Sequence, residues 1–472
     1  MTAARMLSRQ HEDTVAISPY IGQKRGLVIL AEFPETTFKS GHDADKYLMI
    51  LNEPGYTTSE GFRGSAADYF RDQSGGLFEL TFDVVGPYTA AHQESYYGVN
   101  DDLGLDLRPE QLTKEMCEAA DSEVDFSNYD WDGDGEVDEV FVVYAGKGEA
   151  DSYGSNADKL IWPHMWTMDE SPTGVFVLDG MRINVYACAN ELRAAGGING
   201  IGTFCHEFSH CLGLPDLYDT VNSGQDGMGN FDVMDQGNYA GSSFCPVGYS
   251  AYEKMACGWQ VPIVLGNEDV TVDSIQPISL GGDTYIIYND AQPDEYYMIE
   301  NRKRYGWDTN YPATGLLITH IDYDKEVWEN NIPNSVISLE DALELGYTCG
   351  NDHSRVTFFN ASNNKRTPQL YPFSKRDSLT ATSRPAATLW NVNSQGTKLM
   401  QGAIVDIKQH NDGTMAFTYR APTTATAITT VSTDDERHQQ PTYYTTDGRA
   451  AGTDWLSLRH GVYIVNGRKV VR

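Results

Sequence analysis

Long apolar runs are missing from these 472 residues. Nothing approaches the roughly 20 consecutive apolar residues that a membrane-spanning helix needs, so no span is expected. The opening, MTAARMLSRQHED, also lacks the apolar stretch of a secretory signal. The expectation is either a cytosolic chain or the mature form of an exported one. Cysteine is scarce and odd in number, seven in all and widely spread. That pattern does not describe a disulfide scaffold and leaves at least one thiol free or paired between chains. Pairing of Cys245 with Cys257 is permitted but not dictated. Cations are few: 34 Lys and Arg against 67 Asp and Glu, a formal net charge of −33. Phosphate backbones need Lys and Arg, so nucleic acid is excluded as a partner. An acidic surface suits a soluble exported protein, and surplus carboxylates can hold calcium. Apolar material is ample, at 40% hydrophobic and 11% aromatic residues, which excludes global disorder.

The chain reads as two differently patterned regions. GLVILAEF (26–33) and EVFVVYAG (139–146) are short apolar runs of buried strands. SAADYFRDQSGG (65–76) predicts a short helix ending at glycine. LFELTFDVVGPY (77–88) predicts a strand that stops at Gly-Pro. In GIGTFCHEFSHCLG (200–213), apolar residues at 201, 204, 205, 208, 211 and 212 mark one face of a helix. Mixed strands and helices up to about residue 260 predict an α/β or α+β domain, and the class assigned is α+β. Beyond it, DVTVDSIQPISL, TYIIYND, EYYMIENRK, GLLITHID, RVTFFNAS and AIVDIKQH…GTMAFTYR read as strands between turns, a β-rich region. The Thr-rich stretch 421–442 reads as a linker. The final 30 residues read as a small β-hairpin unit or a recognition tail, and no repeat array is present.

The chemistry concentrates in GTFCHEFSHCLGLPDLYD (202–219). On a helix, His206 and His210 share one face about 6 Å apart and can both address one metal ion. Glu207 follows the first histidine, where it can reach a water beside that metal, which is the physical content of H-E-x-x-H. Gly213 permits the left-handed turn that stops a helix, and Pro215 prevents its resumption. The chain then turns back so that Asp216 can become a third ligand. Three protein ligands with an open fourth position describe a catalytic zinc site rather than a structural one. Eighteen residues after Asp216, FDVMDQGNY places Met234 in a turn-like stretch suited to lie beneath such a site.

A second signal is DWDGDGEVDE (130–139). Asp130, Asp132, Asp134 and Asp138 alternate, Gly135 allows a tight turn, and Glu136 offers its carbonyl, as in the start of a calcium loop. Phe141 stands where such a loop carries its bidentate glutamate, and a strand follows instead of a helix. The expected reading is a structural loop–strand calcium site, set against a merely solvated acidic turn.

These stretches, with GSAADYFRDQSGGLFELTFDVVGPY, WDGDGEVDEVFVVYAG, IWPHMW, PVGYSAYEKMACGW and EYYMIENRKRYGWDTNYPATGLLITHID, resemble the immune inhibitor A family of secreted bacterial metallopeptidases. The resemblance runs in order from about residue 64 to 322. It implies a metzincin-like zinc peptidase domain, with a mixed sheet and an active-site helix. It implies that His206 and His210 bind zinc, that Glu207 is the general base and that Met234 lies under the metal. Metzincins often carry histidine as third ligand. Here Asp216 has the right spacing and Glu253 in SAYEKMACGW competes. Calcium and a pro-segment are also common in the family. The tail LSLRHGVYIVNGRKVVR resembles type-nine-secretion sorting signals, which implies attachment at a cell surface, with a plain terminal hairpin as the alternative.

The expected organisation is therefore a catalytic domain over 1–262, a β-rich region over 263–420 that helps complete it or bind substrate, a linker over 421–442 and a tail over 443–472. The expected function is a secreted or cell-surface zinc endopeptidase acting on proteins or peptides. The rivals are a non-catalytic surface binding protein on a peptidase scaffold and a zinc hydrolase of non-peptide substrates. Tyr239 is a candidate oxyanion donor, against a packed loop tyrosine. His164 is a candidate substrate contact, against a packed histidine. Cys205 and Cys211 read as core, and His320 as structural.

Overall fold

The computed structural model describes residues 20–101 and 104–422, together with the backbone of four short strands in the tail. Residues 423–442, most of the expected linker, lie outside the described residues. The chain divides into two compact units, Met1–Pro422 and Thr423–Arg472.

The first unit begins with β1 (Gly22–Glu32), followed by α1 (Ala44–Asn52), α2 (Ala66–Gln73), β2 (Phe78–Thr89) and α3 (Pro109–Ala120). β3 (Val140–Lys147), β4 (His164–Thr167) and β5 (Val185–Leu192) complete a sheet of order β2-β1-β3-β5-β4. The first four strands of that order are parallel, and β4 runs antiparallel along the edge beside β5. Val28 and Leu30 enter one core, while Leu27, Ile29 and Ala31 enter the other. A strand buried on both faces has no polar side, so GLVILAEF is continuously apolar. β2 differs from expectation, because it runs through Gly86-Pro87 to Thr89. The register shifts there: Ile29 faces Val85 and Ala31 faces Tyr88, so one extra residue on β2 absorbs the proline that cannot donate to the ladder.

The helix α4 (Ile201–Cys211) lies on one face of this sheet. Phe204 and Phe208 anchor it against Phe82 of β2, and Phe208 also meets Phe70 of α2. Phe204 stacks on Phe141 of β3 as well. Each such ring contributes about 1.5–3 kcal/mol by leaving water. All eleven residues of α4 are buried, the polar ones included. The helix has no solvent face.

The β-rich region begins after α5 (Ala251–Ala256). It contains β6 (Ile263–Val264), β7 (Val270–Ile275), β8 (Tyr285–Tyr288), β9 (Glu295–Arg302) and β10 (Gly315–Asp322), then β11 (Val356–Phe358), β12 (Ala403–Gln409) and β13 (Met415–Arg420). One sheet has the order β11-β10-β9-β8-β6 and another β7-β13-β12. Tyr296, Met298, Leu317 and Ile321 belong to the same core as α4. Tyr297, Ile299, Leu316 and Ile318, on the opposite face, pack with Phe417 and Tyr419 in a further core. The expected boundary at residue 262 thus falls inside one compact unit. Among the described residues no helix is long and apolar enough to cross a membrane.

In the second unit, Tyr443–Thr445, Ala450–Gly452, Val462–Val465 and Arg468–Val471 form a four-stranded antiparallel sheet.

Candidate metal centre

The helix–turn after α4 follows the geometry that its residues dictate. Gly213 adopts φ +86°, and its amide returns to the His210 carbonyl while Leu214 returns to Ser209. That left-handed close satisfies the last helical carbonyls and reverses the chain. Asp216 then arrives beside both imidazoles, its Oδ1 3.1 Å from His206 Nε2 and 3.2 Å from His210 Nε2. The three side chains are buried.

The other ring nitrogens decide what these atoms can do. His206 Nδ1 donates to the Val233 carbonyl at 2.8 Å, and His210 Nδ1 donates to the Leu214 carbonyl at 2.7 Å. A carbonyl accepts only, so each Nδ1 carries the proton and each Nε2 presents a lone pair. Two nitrogen lone pairs and a carboxylate oxygen therefore converge on one point. Ligands about 2.0–2.2 Å from a tetrahedral ion stand about 3.3 Å apart, so the donor set and its spacing fit zinc. Among the described residues, only this trio and Asp130, Asp132 and Asp138 converge in such a manner.

The carboxylate is itself held. Asn331 donates from Nδ2 to Asp216 Oδ2 at 2.7 Å and accepts the Asp216 backbone amide at 2.6 Å. Burial opposes charge on Asp216, but the two imidazoles keep its carboxyl far below the ordinary range. Burial likewise opposes charge on His206, yet Asp216 and Glu207 raise it to about 9, so that without a metal Nε2 holds a proton toward Asp216 and a metal ion would take that proton's place. Glu207 is buried, and desolvation raises its carboxyl while the two histidines pull it down. Its carboxylate takes the backbone amide of Met165 in edge strand β4.

Residues 27–259 match the family described as immune inhibitor A peptidase M6, catalytic domain. The chain is similar to immune inhibitor A of Bacillus thuringiensis subsp. alesti, 27% identical over 308 residues that cover 52% of this chain and 44% of that protein. It is also similar to the pre-pro-metalloprotease PrtV of Vibrio cholerae serotype O1 (strain M66-2), 26% identical over 277 residues, 50% of this chain and 30% of that protein. Residues 27–259, just under half of the chain, thus carry the match to the immune inhibitor A peptidase family. The chain spans less than half the length of these two curated relatives.

Within this family domain the other candidates fall into place unevenly. Glu253 stands apart from the histidines. It caps α5 by accepting the Ser250 backbone amide, and burial, with the neighbouring Asp232 charge adding to it, drives its carboxyl upward. Its Oε2 serves a helix N-terminus, and among the described side chains that of Asp216 alone converges with the two histidines. Met234 is fully buried, and its carbonyl takes the Leu217 amide, next to the Asp216 turn. Tyr239 is half exposed, and burial followed by Glu207 pushes its phenol up to about 12. Tyr218, two residues after Asp216, was not foreseen. The charge of Asp216, with burial, holds its phenol well above the ordinary tyrosine range. His164 spends Nδ1 on the Trp162 carbonyl and Nε2 on the Tyr186 hydroxyl. His320 bonds Glu295, and Cys205 and Cys211 are buried free thiols. All seven cysteines are free, Cys245 and Cys257 included.

The acidic loop brings together Asp130, Asp132 and Asp138. Asp134 instead takes the Glu136 backbone amide, and the Glu136 side chain faces Arg182 at 3.7 Å and Asn184 at 3.3 Å. Burial, with Asp132, Asp134 and Asp130 nearby, raises Asp138 to about 7.

Proposed function

We propose that this chain is a zinc-dependent endopeptidase that hydrolyses peptide bonds of proteins or peptides. The single observation that carries the reading is the convergence of His206 Nε2, His210 Nε2 and Asp216 Oδ1, with both Nδ1 protons pinned by carbonyls. These three groups would hold a zinc ion, which when bound would supply a Lewis acid for the scissile carbonyl and for the attacking water. Glu207 takes the proton from that water and passes it to the leaving amine. Its position directly after His206 keeps it beside the ligands without joining them, and its burial favours the protonated state it must reach in mid-reaction. Tyr239, with Glu207 and Asp216 as charged neighbours, donates to the developing oxyanion, and Met234 forms the floor of the site.

Asp130, Asp132 and Asp138, with Asp134 and the Glu136 carbonyl completing the loop, hold a structural calcium ion, supported by the convergence of the first three. The β-rich region to residue 420 completes the catalytic unit, supported by the shared core. Export, and surface attachment through the tail, rest on the family and sorting-signal resemblances and on the acidic composition.

The test joins two measurements on Glu207→Gln. Its zinc content by mass spectrometry is expected to equal that of the unaltered chain. Its casein hydrolysis is expected to fall by about 10³-fold or more, a typical scale for a proton-transfer group acting with a metal. Intact turnover in that variant sinks the assignment. Zinc at full occupancy with no casein cleavage in the unaltered chain favours a non-peptide bond as substrate, and absence of zinc after reconstitution favours a binding protein.

A further inference from the structure

The chain carries 34 cations against 67 carboxylates, yet one cavity gathers five of the cations. The cavity has a volume of about 870 Å³ and shares no residue with the metal cluster. Arg71 at the end of α2, Lys254 of α5, Arg302 at the end of β9, and Arg63 and Arg304 line it. Only two carboxylates, Asp72 and Asp308, stand in the same lining, and both are committed. Asp72 accepts the Trp307 indole at 3.0 Å and Arg71 at 3.2 Å. Asp308 accepts the Gly248 amide at 2.8 Å and Arg302 at 3.1 Å.

Cationic donor capacity is left over. Arg302 is fully buried; Glu300 takes its Nε, Asp308 and the Gly248 carbonyl take its Nη1, and its Nη2 has no acceptor among the described residues. A buried guanidinium hydrogen without an acceptor is costly and rare. Lys254 is also buried, and the acceptor of its ammonium is the Gln73 carbonyl. An ammonium has three donors. Burial and the neighbouring Arg302 push Lys254 down to about 8, an imbalance that an entering anion relieves. Arg71 is paired with Asp68 at 2.7 Å, Arg304 gives two of its five donors to the Tyr311 and Pro312 carbonyls, and Arg63 enters no ion pair among the described residues. A lone phosphate or carboxylate leaves most of this volume unfilled. The cavity falls in the size range of organic-ligand sites, and Tyr305, Trp307 and Ile278 give it apolar wall as well.

We propose that this cavity binds an acidic segment of a polypeptide, placing its carboxylates on Arg302, Lys254 and the rim arginines Arg63 and Arg304. This goes beyond the peptidase reading and does not depend on it. A net charge of −33 repels an acidic peptide from the molecule as a whole, so any binding has to come from a local site.

The test is fluorescence anisotropy of a fluorescein-labelled glutamate-rich peptide on the full chain, with Glu207→Gln alongside as a non-cleaving control. Saturable binding that weakens with salt is expected. Arg63→Glu, at an exposed position with no partner to lose, is expected to weaken it by about tenfold or more, and Arg63→Lys to restore most of it. Lys398→Glu makes the same charge change at an exposed position outside the lining and is expected to leave binding intact. Absence of binding overturns the proposal, as does equal loss in Arg63→Glu and Lys398→Glu. Displacement of the peptide by inorganic phosphate at equal concentration also overturns it, since the site then takes a small anion. None of these readouts uses turnover, so failure here leaves the zinc reading untouched, and the converse holds.

Discussion

Asn331 shows what a single residue far along the chain does for the site. It stands 115 residues after Asp216 and holds that side chain through Oδ2 while accepting its backbone amide. Groups that orient metal ligands typically account for about 10- to 100-fold in metal affinity. Asn331→Ala is therefore expected to lose zinc to a competing chelator at about that ratio, with far-ultraviolet circular dichroism unchanged. Unaltered affinity would mean that Asp216 needs no such support. His206, Glu207, His210, Gly213 and Asp216 were legible because helical spacing and one turn bring them together locally. Asn331 was not, since an asparagine after a short helix carries no spacing signal. The Val233 and Leu214 carbonyls that fix the histidine tautomers were invisible for a simpler reason: every residue has a carbonyl. For Glu253 a second cue was readable, since Ser250-Ala-Tyr-Glu253 is the serine-to-glutamate spacing of a helix cap.

Elements were legible where burial imposed a pattern and illegible where packing overrode it. The apolar period of α4 disclosed one face only. Its other face is covered by the segment 236–249, so close that a Cβ on Gly202 would meet the Asn238 carbonyl oxygen at 1.9 Å, and Ser209 bonds Tyr249. The connection between β3 and β4 depends on two carboxyl groups. Glu94 takes the Ile161 amide at 3.4 Å, and Asp106 takes the Trp162 amide at 2.9 Å. Burial raises Glu94 from 4.5 to about 8, with Asp106 adding to it, and raises Asp106 from 3.8 to about 8, with Glu149 adding. Both groups bind more protons in the folded chain than in the unfolded one across that window, so their contribution to stability declines as pH rises through it. Urea unfolding midpoints are expected to fall between pH 5 and 8, and to fall less in Glu94→Gln. Parallel curves would show that Glu94 is ionised in the fold. The acidic loop makes an independent prediction. At a hundredfold excess over its Kd, calcium stabilises by about 2.7 kcal/mol, so it is expected to raise the Tm of the unaltered chain. Asp132→Asn is expected to lose most of that rise, and equal shifts in both proteins would remove calcium from this loop.

At the scale of the molecule, the sequence pattern changes near residue 262 while the packing does not. Residues before that point carry every candidate zinc ligand, yet a shortened chain is not sufficient for the site. The structure gives three reasons. Asp216 is held by Asn331, the Phe231 carbonyl is held by the Tyr311 hydroxyl at 2.8 Å, and the α5 amide of Ala251 is held by Glu300. Met298, Leu317, Ile321 and Trp328 also fill the core that contains α4. Losing them uncovers apolar surface worth about 1.5–3 kcal/mol per side chain, and four such residues already consume the roughly 5–15 kcal/mol by which a domain is stable. A chain ending at residue 262 is therefore expected to show no cooperative thermal transition and to bind a hydrophobic dye. A chain ending at Pro422, which keeps the whole compact unit, is expected to melt in one transition and retain zinc. A cooperative, zinc-binding 1–262 fragment would show that the β-rich region is packed onto a domain that does not need it. The polar links from Asn331 and Glu300 would then serve to align an already folded site.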